Sequence, residues 1–301
     1  MRILLTGASG QVGGALLPLL RRRGHEVIAP DSAALDLARP EGLAAVLDGV
    51  APDLIINPAA YTAVDQAEDA PDTAFAVNAA APAALARWAA GRAVPLVQFS
   101  TDYVFDGSGT TPWREDDPCR PLSVYGSSKR DGEVAIQAAG GPHLIIRTSW
   151  VYAAQGRNFL RTIIRLARER DELRIVSDQT GAPTSAATLA AVLTAIIEGG
   201  AGDLAAAFAA ASGIVHVANA GTTSWHGFAE AIVAGMRARG VRLAVREIRA
   251  VSTAEYGARA IRPLNSRLDL ARLRQVFGIT PPDWREALAA ELDRALREGA
   301  D

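Results

Sequence analysis

The order of apolar and polar positions predicts short buried strands that alternate with amphipathic helices. Continuous apolar runs of strand length lie at Arg2–Thr6, His25–Asp31, Asp53–Asn57, Pro95–Ser100 and His143–Thr148. Helical periodicity occupies a segment that ends near Arg23 and the ranges Asp69–Trp88, Tyr125–Ala138 and Asn158–Arg170. This alternation predicts an α/β protein with a Rossmann-like, doubly wound parallel sheet.

The C-terminal half continues the alternation with less regular spacing. Leu173–Thr184 is predicted as a strand that enters a polar turn, and Ile214–Asn219 as a late strand. Further helices are predicted over Leu189–Glu198, Trp225–Arg239 and Trp284–Arg297. The segment Gly107–Pro118 is rich in turn residues, which predicts an exposed loop.

A glycine-rich turn follows the first strand and opens the first helix. Glycines at Gly7, Gly10 and Gly13 allow a tight turn, and the first helical N–H groups, near Gln11 and Val12, are then free to bind a pyrophosphate. The spacing therefore predicts a dinucleotide site. We expect residues 1–150 to form an NAD(P)-binding domain, with residues 185–220 or so returning to it. Residues 151–301 are expected to form mainly a smaller α/β substrate domain.

Acidic residues after the second strand are candidates for the adenosine side of the cofactor. Asp31 lies where a carboxylate would bind the ribose hydroxyls and disfavour a 2′-phosphate, and Asp36 with Leu37 is a second candidate. Arg22 and Arg23 could bind a 2′-phosphate, and they could equally form the solvated end of the first helix. The choice between NADH and NADPH stays open at this point.

Composition excludes several classes of protein. The 301 residues are 49% apolar and carry a net charge of −2 at pH 7, which does not favour nucleic acid or an anionic membrane as partner. A single cysteine, Cys119, rules out an intrachain disulfide and predicts a reducing compartment. The longest apolar helix candidate, Leu189–Ile197, is too short to span a bilayer. We expect a cytoplasmic protein, and the four scattered histidines predict no metal site.

Two segments together supply the groups that a carbonyl reduction needs. Tyr125 and Lys129 are four residues apart, so a helix places them on one face. An ammonium near a phenol favours the phenolate, so Lys129 is expected to lower the pKa of Tyr125 from about 10. Thr101 can donate to the carbonyl oxygen. Asp102 can orient a sugar hydroxyl or assist proton transfer.

An aromatic residue at the end of the fifth predicted strand is a candidate for ligand stacking. Trp150 follows His143–Thr148 directly, at the edge of the sheet where Ser100–Asp106 also emerges. A tryptophan there can stack on a sugar or a nicotinamide, and it can equally well be part of the packing.

At these residues the sequence resembles the extended short-chain dehydrogenase/reductase superfamily and, within it, the dTDP-4-dehydrorhamnose reductase family. The matching strings are GASGQVG from Gly7, AYTAVD from Ala60, STDYVF from Ser100, VYGSSK from Val124, RTSWVY from Arg147, DQTGAPT from Asp178 and RPLNS from Arg262. The first string and the Tyr–Lys pair are general to the superfamily. The RTSWVY and DQTGAPT strings are much more specific.

The resemblance implies reduction of the C4 keto group of dTDP-4-dehydro-β-L-rhamnose by NAD(P)H, the last step of dTDP-L-rhamnose synthesis. It implies a catalytic set of Thr101, Tyr125 and Lys129, with Tyr125 as proton donor. It implies substrate contacts at Thr101, Asp102 and Trp150. The implied cofactor contacts are Gly10, Gln11, Val12, Asp36, Leu37, Ala60, Tyr61, Thr62, Tyr125 and Lys129.

The sequence departs from the family at a magnesium site. Some members dimerise around a magnesium ion held by three glutamates, and the first two positions correspond here to Ala15 and Ala187. Only the third, Glu291, keeps a carboxylate. Alanine offers no ligand oxygen, so we expect no bridging magnesium and a monomer or weak homodimer.

Two other functions remain open from the sequence. One is a reductase or epimerase that acts on another nucleotide sugar. The other is a catalytically silent, NADP-binding regulatory subunit built on the same fold, against which the intact Thr101, Tyr125 and Lys129 argue.

Overall fold

The computed structural model describes residues 1–297. Its strands are β1 (Arg2–Leu5), β2 (Glu26–Ile28), β3 (Leu54–Asn57), β4 (Leu96–Thr101), β5 (His143–Thr148), β6 (Val151–Tyr152), β7 (Glu172–Val176), β8 (Thr180–Gly181), β9 (Thr184–Ser185), β10 (Ile214–His216), β11 (Thr223–Ser224) and β12 (Glu247–Val251). Its helices are α1 (Gln11–Arg22), α2 (Leu43–Val50), α3 (Val64–Ala67), α4 (Pro71–Phe75), α5 (Ala81–Ala90), α6 (Val124–Ala139), α7 (Phe159–Glu169), α8 (Ala186–Gly199), α9 (Leu204–Ala210), α10 (Trp225–Ala238), α11 (Thr253–Tyr256), α12 (Ala271–Phe277) and α13 (Trp284–Arg297).

A six-stranded parallel sheet forms the centre of the molecule, in the order β10-β5-β4-β3-β1-β2. The strand order reverses between β1 and β3, which places a topological switch point at the carboxyl ends of these two strands. Because β3, β4 and β5 are buried along nearly their whole length, they read as continuous apolar runs. The predicted Rossmann-like fold is confirmed.

Helices cover both faces of this sheet. On one face α1 packs against α8, and Leu16, Leu20 and Leu193 lie in the core beneath them. On the other face α2, α5 and α6 cover a second core that contains Leu47 and Leu85. Within residues 1–297 no single helix is long and apolar enough to cross a membrane; α8 and α9 meet that test only as a pair bent by 117°.

A second body of structure is built from the C-terminal half. Helices α7, α10 and α13 pack around Tyr152, Phe228 and Trp284, all of them buried. Beside them β7 pairs in parallel with β12 over five residues. Two further ladders of two residues each pair β6 with β9 and β8 with β11.

Several predicted elements differ in extent from the observed ones. The late strand at Ile214–Asn219 ends at His216, and the helix predicted from Leu189 begins at Ala186, capped by the Ser185 hydroxyl. A π-helical turn, Ala76–Ala80, interrupts the predicted helix Asp69–Trp88. The loop Gly107–Pro118 is largely exposed, as predicted, and only Gly107 and Glu115 in it are buried. Its Glu115 is buried because the carboxylate accepts the His216 N–H and pairs with Arg272.

Candidate active site

A cleft of about 1640 Å³ opens over the carboxyl ends of the central strands. Its lining includes the glycine turn Gly7–Gly14, the residues Pro58–Ala60 after β3, and Phe99–Tyr103 at the end of β4. Thr148, Trp150, Tyr125 and Lys129 complete this part of the wall. A crevice at the switch point of an open α/β sheet is where such folds bind ligands.

The glycine turn is shaped for close approach of backbone groups. Gly7 has φ +56°, and a Cβ on it would lie 2.9 Å from the Cα of Ala59. A Cβ on Gly13 would lie only 2.2 Å from the Gly7 carbonyl oxygen. No side chain caps the start of α1, so its first N–H groups face the cleft and suit a pyrophosphate.

Four buried polar atoms, all of them on residues that line this cleft, have no hydrogen-bond partner within the protein. They are Gln11 Oε1, Ser100 Oγ, Asp102 Oδ2 and Thr148 Oγ1. A buried polar atom without a partner costs about 1–3 kcal/mol, so natural proteins seldom leave one unless a ligand or water binds it. Together with the glycine turn, these atoms fit a dinucleotide and a polar substrate.

Thr101, Asp102 and Tyr125 meet at the end of β4. The Thr101 hydroxyl accepts the Tyr103 N–H at 3.2 Å and contacts Asp102 Oδ1 at 3.2 Å. It also hydrogen-bonds with the Tyr125 phenol, which lowers the pKa of that phenol, but burial outweighs this and raises it to about 12. Burial likewise raises the pKa of Asp102 to about 7, while hydrogen bonds from Ser266 and Thr101 oppose the rise.

The structure corrects the predicted electrostatics of the Tyr–Lys pair. Lys129 Nζ donates to the Phe99 carbonyl oxygen at 2.6 Å, and the pKa of Tyr125 lies above its ordinary value where the sequence predicted it below. Burial lowers the pKa of Lys129 to about 8, and the Glu133 carboxylate opposes that shift. In a buried site the cost of removing each charged form from water is larger than the effect of one neighbouring charge.

Helix α6 is locked onto the end of β4 at its first turn. The Ser123 hydroxyl caps α6 by accepting the Gly126 N–H at 3.1 Å. A Cβ on Gly126 would lie 2.2 Å from the Tyr103 carbonyl oxygen, so only glycine permits this approach. One helical turn beyond Lys129, Glu133 forms a buried bidentate ion pair with Arg147 of β5 at 2.6 Å. These contacts fix the face that carries Tyr125 and Lys129.

A chain of buried polar side chains runs across the sheet beneath the cleft. Thr6 donates to Asn57 Oδ1, and Asn57 Nδ2 donates to Gln98 Oε1 at 2.7 Å. Gln98 Nε2 donates to the Phe99 carbonyl oxygen at 2.9 Å, the same oxygen that accepts from Lys129. Asn57 is therefore part of a hydrogen-bond network that ends at Lys129.

Trp150 lies in a tight stack at the other side of the cleft. It has φ +50°, and its ring stacks on Trp225 with centroids 3.7 Å apart. A Cβ on Gly181 would lie 2.7 Å from its Cε2 atom. Trp225 covers one face of the ring, so that face is closed to a ligand, and Gly181 lies against the indole.

Several predicted cofactor residues do not line this cleft. Asp31 and Asp36 are exposed and cap their own turns, through the N–H groups of Ala33, Ala34 and Ala38. Leu37 is in the core beneath α2. The Tyr61 N–H donates to Asn78 Oδ1, and Asn78 Nδ2 donates to the Tyr61 carbonyl oxygen. Ala60 and Thr62 do line the cleft. The cofactor roles of all these residues stay predictions.

The magnesium position does not fit a metal. Ala15, Ala187 and Glu291 all line the cleft. The buried Glu291 carboxylate accepts the Ala154 N–H at 2.7 Å and an Arg294 N–H at 2.8 Å. Across residues 1–297 no cluster of three or more His, Cys, Asp or Glu side chains is placed to ligate a metal.

Sequence reasoning missed residues that reach the site from distant segments. Ser266 contacts Asp102, Trp225 stacks on Trp150, and Ser100 and Thr148 line the cleft. The RPLNS string from Arg262 and the DQTGAPT string from Asp178 were the available signals. They meet in space, because the Ser266 N–H donates to the Thr180 carbonyl oxygen at 2.7 Å.

Taken together, the switch-point cleft, the glycine turn and the Thr–Tyr–Lys group at the end of β4 define an extended short-chain dehydrogenase/reductase. The chain belongs, more narrowly, to the family described as the RmlD substrate binding domain, whose model matches residues 1–297. The family resemblance drawn from the sequence is thereby confirmed.

Named relatives agree with this placement. The dTDP-4-dehydrorhamnose reductase of Burkholderia thailandensis is 47% identical over 96% of this chain and 97% of its own length. The crystal structure of a dTDP-4-dehydrorhamnose reductase from Clostridium acetobutylicum superposes with a TM-score of 0.89 at 35% identity, covering 98% of this chain and 100% of that one. The Bacillus anthracis enzyme, solved in complex with NADP, gives 0.88 at 34% identity over 97% and 99%.

Proposed function

We propose that the protein is an NAD(P)H-dependent dTDP-4-dehydrorhamnose reductase, which reduces the C4 keto group of dTDP-4-dehydro-β-L-rhamnose to give dTDP-β-L-rhamnose. The observation that carries this proposal is the hydrogen-bonded contact of Thr101 with Tyr125 at a cleft that also contains the glycine turn. The family and the names of the relatives support the choice of substrate.

The residues of the glycine turn would hold the dinucleotide. Gly7 and Gly13 allow the backbone to approach the dinucleotide, and Gly10 lies between these two glycines at the start of α1. The N-terminus of α1, near Gln11 and Val12, would bind the pyrophosphate. Ala60 and Thr62 would lie beside it. The bound nicotinamide supplies the hydride, and residues 1–150 with the returning strand β10 would form its domain.

The acid chemistry belongs to the end of β4 and the start of α6. Tyr125 would donate its phenolic proton to the C4 oxygen as negative charge develops there, and Thr101 would hydrogen-bond the same oxygen. The buried Lys129 ammonium would contribute positive charge to a site of low dielectric constant. Asp102 and Trp150 would contact the sugar, with residues 151–297 contributing most of the substrate domain.

Purified protein is tested for loss of NAD(P)H absorbance on addition of the dTDP-4-keto sugar. We expect turnover in the intact protein, and a loss of about 10²- to 10⁴-fold in Tyr125→Phe with cofactor affinity retained. The matched control is Tyr256→Phe, which removes an exposed phenol from α11. Turnover with a UDP- or GDP-linked sugar alone would indicate another nucleotide-sugar enzyme. Cofactor binding with no turnover and a co-purifying partner would indicate the regulatory subunit.

The cofactor preference, the quaternary structure and the location belong to the same proposal. Either NADH or NADPH is compatible with the residues at the cleft. A monomer or weak homodimer is expected, since Ala15 and Ala187 provide no ligands for a bridging metal. One free cysteine, Cys119, is consistent with the cytoplasm.

A further inference from the structure

Each reduction leaves Tyr125 without its proton. The proposed reaction moves the phenolic proton to the sugar oxygen, so the phenol must be reprotonated before the next turnover. Burial raises the pKa of Tyr125 to about 12, so its phenolate in this setting is a strong base. A proton donor within hydrogen-bond reach of the phenol would restore its proton.

Thr101 connects the phenol to a carboxyl group. Its Oγ1 lies 3.2 Å from Asp102 Oδ1 and hydrogen-bonds with the Tyr125 phenol. A threonine hydroxyl has one proton and two acceptor sites, and one acceptor site is filled by the Tyr103 N–H. Within the protein its single proton therefore points either to Asp102 or to Tyr125, and it turns to the Tyr125 phenolate once the reduced sugar has left and Asp102 is protonated.

Asp102 has the surroundings of a carboxyl that can hold a proton near neutrality. It is 2% exposed, and its Oδ2 atom has no partner within the protein while the residue lines the cleft. Burial raises its pKa to about 7, and the hydroxyls of Ser266 and Thr101 are the side chains that lower it. The nearby titratable groups are the phenols of Tyr103 and Tyr125, and Lys129 lies one turn further along α6.

Ser266 lies beside this carboxyl and belongs to a distant segment that backbone hydrogen bonds hold in place. Its N–H donates to the Thr180 carbonyl oxygen at 2.7 Å, and the Thr180 N–H donates to the Leu264 carbonyl oxygen at 2.7 Å. On the other side the Asn265 N–H donates to the Gly107 carbonyl oxygen at 3.1 Å. Ser266 is 1% exposed, so its contact with Asp102 is shielded from water.

We propose that Asp102, through Thr101, reprotonates Tyr125 after each reduction, and that Ser266 is the positioning residue of this proton relay. The proposal rests on the reductase function proposed above. The Tyr125 proton moves to the C4 oxygen, the Thr101 proton moves to the phenolate, and the Asp102 proton moves to Thr101. Asp102 is left as a carboxylate and regains its proton from water through the cleft. One hydride and one proton thus enter the substrate in each cycle.

The decisive test is the kinetics of Asp102→Asn, which keeps the shape of the side chain and removes its proton. The first turnover uses the proton already on Tyr125, so mixing enzyme, NADPH and keto sugar should give a burst of one equivalent of oxidised cofactor that is faster than the turnovers after it. Later turnovers should be slower by about tenfold or more. A first turnover slowed by the same factor as the steady state would overturn the relay and leave Asp102 as a substrate contact only.

Ser266→Ala provides a second test that does not depend on Asp102→Asn folding. The relay needs protonated Asp102, so kcat of the unaltered protein should fall as pH rises through about 7. Without the Ser266 hydroxyl the pKa of Asp102 rises, and the fall should move to higher pH while KM changes little. Ser177→Ala, which removes a hydroxyl that bonds the Val251 carbonyl, is the matched control and should not move it. An unmoved fall in Ser266→Ala overturns the role of Ser266.

Two further readouts separate the relay from the reaction itself. Infrared titration of the protein alone should show a carboxyl band that titrates near pH 7 and disappears in Asp102→Asn; its absence contradicts the proposal. Thr101→Val should slow steady-state turnover. Thr101→Ser keeps a hydroxyl, so its steady-state rate should be at least about tenfold higher than that of Thr101→Val. If the unaltered protein shows no turnover at all, the proposed function fails, whereas turnover without any of these signatures refutes the relay alone.

Discussion

The ammonium of Lys129 donates to the carbonyl oxygen of Phe99 at 2.6 Å, in the interior of the protein and one helical turn from Tyr125. This bond fixes the lysine at the end of β4 and ties it to the network of Gln98 and Asn57 beneath the cleft. It also leaves a positive charge in a site where burial lowers the pKa of the group to about 8. A functional cation is therefore held there at a cost in stability.

That cost predicts a pH-dependent stability. Between about pH 8 and 10.5 the unfolded chain still binds the Lys129 proton and the folded protein has released it, so the free energy of unfolding rises with pH. The gain is about 3 kcal/mol across this range, on the scale of 1.36 kcal/mol per pKa unit. Lys129→Met should lack it. Urea unfolding of both proteins across this pH range measures the difference between their free energies of unfolding. The contributions of other titrating groups cancel in this difference. A difference that does not change with pH would contradict the lowered pKa of Lys129.

The buried ion pair of Glu133 with Arg147 is expected to be essential to folding stability. Both side chains are 3% exposed, so Glu133→Gln leaves a guanidinium buried without its counter-charge and should cost about 3–5 kcal/mol. The double change Glu133→Leu with Arg147→Met should recover much of that loss. Chemical denaturation measures both.

The control for this pair is a surface pair of the same residue types. Glu169→Gln breaks the exposed pair with Arg165 on α7 and should change stability by less than about 0.5 kcal/mol. Equal losses of stability in Glu133→Gln and Glu169→Gln would show that the buried pair stabilises the fold no more than the surface pair does.

Two adjacent glycines in α1 should respond oppositely to alanine. A Cβ on Gly13 would lie 2.2 Å from the Gly7 carbonyl oxygen, so Gly13→Ala must displace the glycine turn. We expect the affinity for NAD(P)H to fall at least about tenfold, measured by fluorescence titration. A Cβ on Gly14 meets the Ala8 carbonyl oxygen at 3.5 Å, an ordinary contact. Gly14→Ala should keep the affinity and raise helix stability by about 0.5–1 kcal/mol.

Removal of divalent metal should leave the activity intact. Glu291 is engaged by Ala154 and Arg294, and Ala15 and Ala187 offer no ligand oxygens. Dialysis against EDTA is therefore expected to change kcat by less than about twofold, since magnesium needs carboxylate or other oxygen ligands. A larger loss that added magnesium reverses would disprove this expectation, and sedimentation under both conditions tests whether the metal affects assembly.

The sequence by itself determined the features that depend on local spacing. Apolar runs of strand length between periodic helices gave the doubly wound sheet, and His143–Thr148 and Trp284–Arg297 are observed with their predicted bounds. The glycine turn and the placement of Tyr125 and Lys129 on one helix face were likewise determined by local spacing. In each case the geometry of one strand end or one helix face places the groups, whatever the rest of the chain does.

Only the tertiary structure decided which distant segments meet at those groups. No periodicity relates Ser266 to Asp102, Trp225 to Trp150, or the Phe99 carbonyl to Lys129, because these contacts follow from how helices and loops pack over the sheet edge. The direction of the pKa shift of Tyr125 was decided there as well. Spacing predicts that a lysine lies near a phenol, but burial depends on the whole fold, and here burial has the larger effect.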